Sequence, residues 1–95
     1  MLVYARRTDA NHAEIIKELK QAFCTVVDLS KVGKGCPDLL VGHNKINYLV
    51  EIKTKTGYLT DTQIDFIAAW KGLDIIVGTD FESIFSQIKR LSKKR

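Results

Sequence analysis

Asp38, Glu51 and Lys53 are the residues of this chain whose types and spacing invite chemistry. Two apolar runs of strand character, Leu39 to Val41 and Ile46 to Val50, flank the turn-forming segment Gly42-His43-Asn44-Lys45, so the sequence predicts a hairpin. Asp38 opens its first strand. Glu51 and Lys53 close the second at i and i+2, which points both side chains to one face of the strand, and Ile52 faces the other way into the core. Burying charge is costly unless the charges pair or hold a metal. Two carboxylates beside an ammonium among otherwise apolar strands therefore read as a polar working site.

The elements around this hairpin follow from periodicity and breakers. Met1-Leu2-Val3-Tyr4 is a short apolar segment, either a paired strand or a free end, followed by Arg6-Arg7. From Asn11 to about Phe23, Ile15, Ile16, Leu19, Ala22 and Phe23 recur at helical spacing. Glu14 lies beside that stripe, three residues after Asn11, where it fits the back half of a capping arrangement. Cys24 to Leu29 is β-branched and apolar, a first strand, and Ser30 to Gly35 makes a basic loop. Lys31 and Lys34 in that loop are either phosphate contacts or solvated lysines of a turn.

After the hairpin, Thr60-Asp61-Thr62-Gln63 matches the capping box that starts a helix, and Phe66, Ile67 and Trp70 give that helix an apolar face ending at Lys71-Gly72. Trp70 is expected in the core. Asp74 to Val77 reads as another strand. Thr79-Asp80 then caps a last helix carrying Phe81, Ile84, Phe85, Ile88 and Leu91, with Lys89, Arg90, Lys93, Lys94 and Arg95 at its end. Cations there complement the helix dipole, but five in seven residues also suit a tail touching nucleic acid.

Taken together, Gly35-Cys36-Pro37-Asp38-Leu39-Leu40, Val50-Glu51-Ile52-Lys53, Gly57-Tyr58-Leu59-Thr60 with Gln63, and Glu14 near the start of the first helix resemble the Pro-Asp…Glu-x-Lys signature of the PD-(D/E)xK nuclease superfamily. More narrowly, the chain is similar to the VRR-NUC family of small virus-type replication and repair nucleases. The resemblance implies an α/β, restriction-endonuclease-like αβββαβ core, a mixed sheet flanked by helices, with a C-terminal helix added. It implies a Mg2+ or Mn2+ site with Asp38 and Glu51 as carboxylate ligands, the backbone carbonyl of Ile52 as another, and Glu14 as a direct or water-mediated one. Lys53 would orient or deprotonate the attacking water and offset charge on the scissile phosphate. Gln63, which the capping box already explains, would also sit over the site and contact substrate.

Composition narrows the partners. Ninety-five residues make one domain, 1–95, leaving no room for a separate DNA-binding module, so the surface that works must also bind. Fifteen Lys and Arg against eleven Asp and Glu give a net charge of +4, and the acids placed in the site leave the remaining surface more basic still. DNA is the expected partner, gripped by Arg6, Arg7, Lys31, Lys34, Lys89 and Arg90. A homodimer acting on branched DNA, a four-way junction above all, is what small stand-alone members of the family imply. The alternatives are a non-catalytic nucleic-acid-binding module on the same fold and a restriction-type endonuclease, the latter disfavoured by a chain too short for base-reading additions. No apolar run approaches the roughly 20 residues of a membrane span and no signal pattern opens the chain, which points to the cytoplasm, of the host cell if the protein is viral. Cys24 and Cys36 lack metal or redox spacing and are expected to be reduced and structural, and no ligand pair gives His12 and His43 zinc spacing.

Overall fold

No proline or glycine interrupts residues 2–21, and the backbone there is one continuous α-helix, α1 (Leu2–Gln21). The computed structural model describes residues 2–54 and 56–93, with the backbone alone for residues 2–10. Leu2 to Tyr4 is thus neither a strand nor a free end, and Asn11 lies inside the helix instead of capping it. The reason is local: Ala5, Arg6 and Arg7 are good helix formers, and Thr8, Asp9 and Asn11 are too few to stop propagation. α1 ends in a Schellman arrangement, Cys24 N–H to Leu19 carbonyl at 3.0 Å and Phe23 N–H to Lys20 carbonyl at 3.1 Å. Phe23 takes the left-handed position that closes it (φ 67°), so the residue expected on the helix's apolar face stands 92% exposed beyond its end.

Three antiparallel strands follow, β1 (Thr25–Asp28), β2 (Leu39–His43) and β3 (Ile46–Ile52). The hairpin turn is Asn44-Lys45, both at positive φ, the geometry that matches strand twist in a two-residue loop. Helix α2 (Asp61–Ala69) and strand β4 (Ile76–Gly78) come next, and β4 pairs parallel to β3, giving the sheet order β1-β2-β3-β4. Helix α3 (Phe81–Lys93) closes the chain, its N-terminus capped by Asp80 Oδ1 accepting the Ser83 N–H at 2.8 Å. The element order is the αβββαβ plan plus a C-terminal helix.

One face of the sheet carries the core. Leu39 and Val41 of β2 with Ile46, Tyr48, Val50 and Ile52 of β3 alternate inward and meet Ile15 and Leu19 of α1 and Ile84, Ile88 and Leu91 of α3. The Tyr48 hydroxyl donates to the Ile88 carbonyl at 3.4 Å and the Gln87 amide to the Val77 carbonyl at 2.9 Å, fixing α3 on β3 and β4. α2, by contrast, buries no residue. Trp70, expected in the core, is 46% exposed and stacks on Phe66 at 5.5 Å between ring centres, because α1 and α3 already fill the core face. Among the described residues no helix is long and apolar enough to cross a membrane.

Candidate active site

Leu39 pairs with Val50, so one further step of the antiparallel register sets Asp38 opposite Glu51. Asp38 is anchored at both ends of that step. Its backbone carbonyl accepts the Leu29 N–H at 2.7 Å and its Oδ2 accepts the Ile52 N–H at 2.8 Å, so a side chain replaces the next rung of the ladder. The approach to it is shaped by Gly35 (φ 79°): a Cβ there would collide with the Thr62 carbonyl oxygen at the start of α2. Only glycine lets this loop lie against the first turn of that helix, and Pro37 is then buried immediately before Asp38.

That first turn carries Gln63 to Glu51. The Thr60 hydroxyl accepts the Gln63 N–H at 3.2 Å and Gln63 Oε1 accepts the Thr60 N–H at 2.8 Å, a complete capping box. The amide nitrogen is left to donate to Glu51 Oε2 at 2.8 Å. Glu51 is only 3% exposed, the one charged side chain among the buried described residues. Its burial first, then the charge of Asp38 and a hydrogen bond with Asp38, push its carboxyl up to about 8. Among the described residues no cation pairs with this carboxylate, and a divalent ion would supply one.

Lys53 leaves β3 half-buried, its backbone N–H donating to the Gly78 carbonyl at 3.0 Å, and lines an open cleft of about 260 Å³ together with Glu51, Thr54, Tyr58, Thr60 and Gln63. Ile52 is buried and spends its N–H on Asp38. Asp38, Glu51 and Gln63 are therefore brought together, with Lys53 in the same cleft as Glu51 and Gln63. Glu14 is not brought to them: it is exposed on α1, where no hydrogen bond or ion pair holds it toward Asp38. Among the described side chains of α1, His12 reaches the site, two positions and about 200° around the helix from Glu14. His12 Nε2 lies 3.9 Å from Asp38 Oδ2 and is buried without a hydrogen-bond partner. The signal was present in the sequence, since His12 precedes Ile15 and Leu19 by three and seven residues and so shares their inward face. Cys36 is a second neighbour missed from sequence, a free thiol raised by burial and then by the charges of Glu51 and Asp38.

Among the described residues no three His, Cys, Asp or Glu side chains form a ready-made metal cage. Two carboxylates set opposite each other could take part in the sparse, water-completed ligation that a hard divalent ion such as magnesium accepts. Of the basic residues, Lys31 and Lys34 are exposed on the β1–β2 loop and Lys89 and Arg90 on α3. Arg6 and Arg7 lie on the α1 backbone with side chains outside the described part, as are Lys94 and Arg95.

Compared with known protein families, residues 3–79 match the model of the VRR-NUC domain. The match takes in every element up to β4 and stops before α3. Comparisons with curated proteins and with solved structures returned no match.

Proposed function

Since the chain belongs to the VRR-NUC domain family, whose fold is nuclease-type, we propose that it is a metal-dependent, structure-selective DNA endonuclease that hydrolyses phosphodiester bonds as a homodimer, in the manner of a Holliday-junction resolvase. The observation that carries this reading is the facing pair Asp38 and Glu51, with Lys53 in the adjoining cleft and Glu51 held reluctant to ionise. Asp38, Glu51 and the Ile52 carbonyl would hold Mg2+ or Mn2+. When bound, such an ion supplies positive charge against the charge that builds on the phosphorane and acidifies water at the site.

The chain's own residues do the remaining work. Gln63 fixes one oxygen of Glu51. The Ile52 N–H fixes Oδ2 of Asp38 in the same way. Lys53, on the Glu51 side of the strand, orients or deprotonates the attacking water and offsets charge on the scissile phosphate. Lys31, Lys34, Lys89 and Arg90 draw the DNA backbone in, an attraction that salt weakens.

Support for the dimer comes from the sheet face opposite the core. Val27, Leu40 and Leu49 stand in register across β1, β2 and β3, and Leu40 and Leu49 share a groove of about 450 Å³ with Trp70 and Leu73. Two-fold pairing through this face would bury the exposed Val27 and the open groove and set two sites in antiparallel relation, as a junction of approximate two-fold symmetry requires. Labelled four-way junction, flap, single-strand and linear duplex DNAs, incubated with the purified protein and Mg2+ or Mn2+, test the reading together with light scattering. Paired nicks in the junction by a dimer are expected. A monomer, or equal nicking of linear duplex, would leave a general metal-dependent nuclease, and no metal-dependent cleavage of any DNA would overturn the enzyme.

A further inference from the structure

Beside the Glu51–Lys53 cleft the chain places an aromatic ring with nothing to pack on. Tyr58 is 93% exposed, more than any other large hydrophobic residue among those described, and it lines the cleft with Glu51, Lys53 and Gln63. The segment that carries it is held at both ends. On one side Lys53 is pinned to Gly78 and Gly57 N–H closes a turn on the Thr54 carbonyl at 3.1 Å, a turn in which a Cβ at Gly57 would collide with the Thr54 hydroxyl. On the other side Thr60 is locked by the capping box of α2. A bulky ring displayed from a tethered segment, two residues before a cap and at the rim of a cleft that holds the site's carboxylate and ammonium, has no role in the core.

We infer that Tyr58 is a stacking platform for an unpaired base next to the scissile phosphate, so that the site takes DNA in which a nucleotide has left the helical stack. The inference rests on the nuclease reading and deepens it by naming the substrate feature the site selects. An aromatic face is sequence-tolerant because every base has a π-face, and in continuous duplex the neighbouring bases already occupy each other's faces. Tyr58 therefore contributes to binding only where the stack is broken, at a bulge, flap or branch. Stacking uses only the face of the ring, so the Tyr58 hydroxyl is dispensable.

The test uses the full chain with Ca2+ in place of Mg2+, so that binding is read apart from cleavage, on a fluorescent linear duplex and on the same duplex carrying one unpaired 2-aminopurine. Tyr58→Ala should weaken binding to the bulged DNA about 10-fold, the loss of one base–aromatic stack, and leave duplex binding unchanged. Tyr58→Phe should bind like the wild type, and 2-aminopurine fluorescence should be quenched by both ring-bearing proteins but not by Tyr58→Ala. An abasic site in place of the unpaired base should bring the wild type down to the Tyr58→Ala affinity. Equal losses on both DNAs, no loss on either, or a Tyr58→Phe protein as weak as Tyr58→Ala would overturn the inference. Selective, quenching binding by a protein that cuts no DNA in Mg2+ or Mn2+ would instead refute the nuclease reading and leave the stacking intact.

Discussion

Gln63 ties the capping of α2 to Glu51: its Oε1 accepts the Thr60 N–H at 2.8 Å and its Nε2 donates to Glu51 Oε2 at 2.8 Å. The cap decides which end of the amide faces the carboxylate, so the structural and the functional readings of this residue are one arrangement. Gln63→Glu keeps an acceptor for the Thr60 N–H but sets a second carboxyl against Glu51. Cleavage should fall roughly 10-fold or more with little change in Tm. Gln63→Ala removes both bonds and should also cost about 1 kcal/mol of stability. Thermal melts read beside single-turnover rates separate the two effects, and a fully active Gln63→Glu would remove the Glu51 contact from the mechanism.

Stability of the metal-free protein should depend on Glu51 with a defined sign. Its carboxyl is raised in the fold to about 8 from an ordinary 4.5, so the protonated form is favoured by folding. That contribution is complete below the unfolded value and is lost as pH rises through the folded one. Glu51→Gln does not titrate and should melt several degrees above the wild type at about pH 8.5, with the gap closing toward about pH 5. Melting curves across this range check it. Binding of Mg2+ or Mn2+ near neutral pH should in turn release close to one proton per ion, which calorimetry in buffers of different ionisation enthalpy reads directly.

His12 Nε2 stands too far from Asp38 Oδ2, at 3.9 Å, for a direct hydrogen bond, yet close enough for a small shift or one bridging water. The imidazole is placed to steady the carboxylate proposed to hold the metal. His12→Ala should weaken Mn2+ binding about 10-fold and His12→Gln, which retains a donor, should recover most of it. Unchanged titration curves for both variants would assign His12 to packing alone.

Phe23 occupies the left-handed closing position of α1 at φ 67° while standing 92% exposed. Glycine takes this conformation without the strain of a Cβ, and nothing packed is lost with the ring. Phe23→Gly should raise stability by about 1 kcal/mol, or roughly 4–8 °C in Tm for a domain of this size. A lower Tm would mean that the ring is covered in solution.

The hairpin, the α2 capping box and the inward stripes of β3 and α3 were legible because each rests on local chemistry: turn formers, a Thr-x-x-Gln pair, alternation and helical spacing. The start of α1 was not. An apolar N-terminal run looks strand-like in isolation, whereas the helix that includes it is set by the absence of any breaker before Gln21. Trp70 misled for a tertiary reason, since spacing predicts an apolar face but not that α1 and α3 have already filled the core side of the sheet. The facing of Asp38 and Glu51 depends on strand register, which the two-residue turn fixes and a four-residue turn segment left open. Glu14 stands exposed for the same kind of reason, because its direction follows the phase of a helix anchored by Ile15 and Leu19.

Lys53 separates catalysis from metal binding, because an ammonium is not a metal ligand and the side chain lies outside the hydrogen bonds that fix Asp38 and Glu51. Single-turnover cleavage of a labelled four-way junction should be measured for Lys53→Ala and wild type at saturating Mn2+, with Mn2+ affinity and Tm recorded for both. Lys53→Ala should fold and bind metal like the wild type with most of the cleavage lost, about 100-fold or more, a loss of rate like that expected for Asp38→Ala and Glu51→Ala. A Lys53→Ala protein that cuts the junction at the wild-type rate would contradict this mechanism.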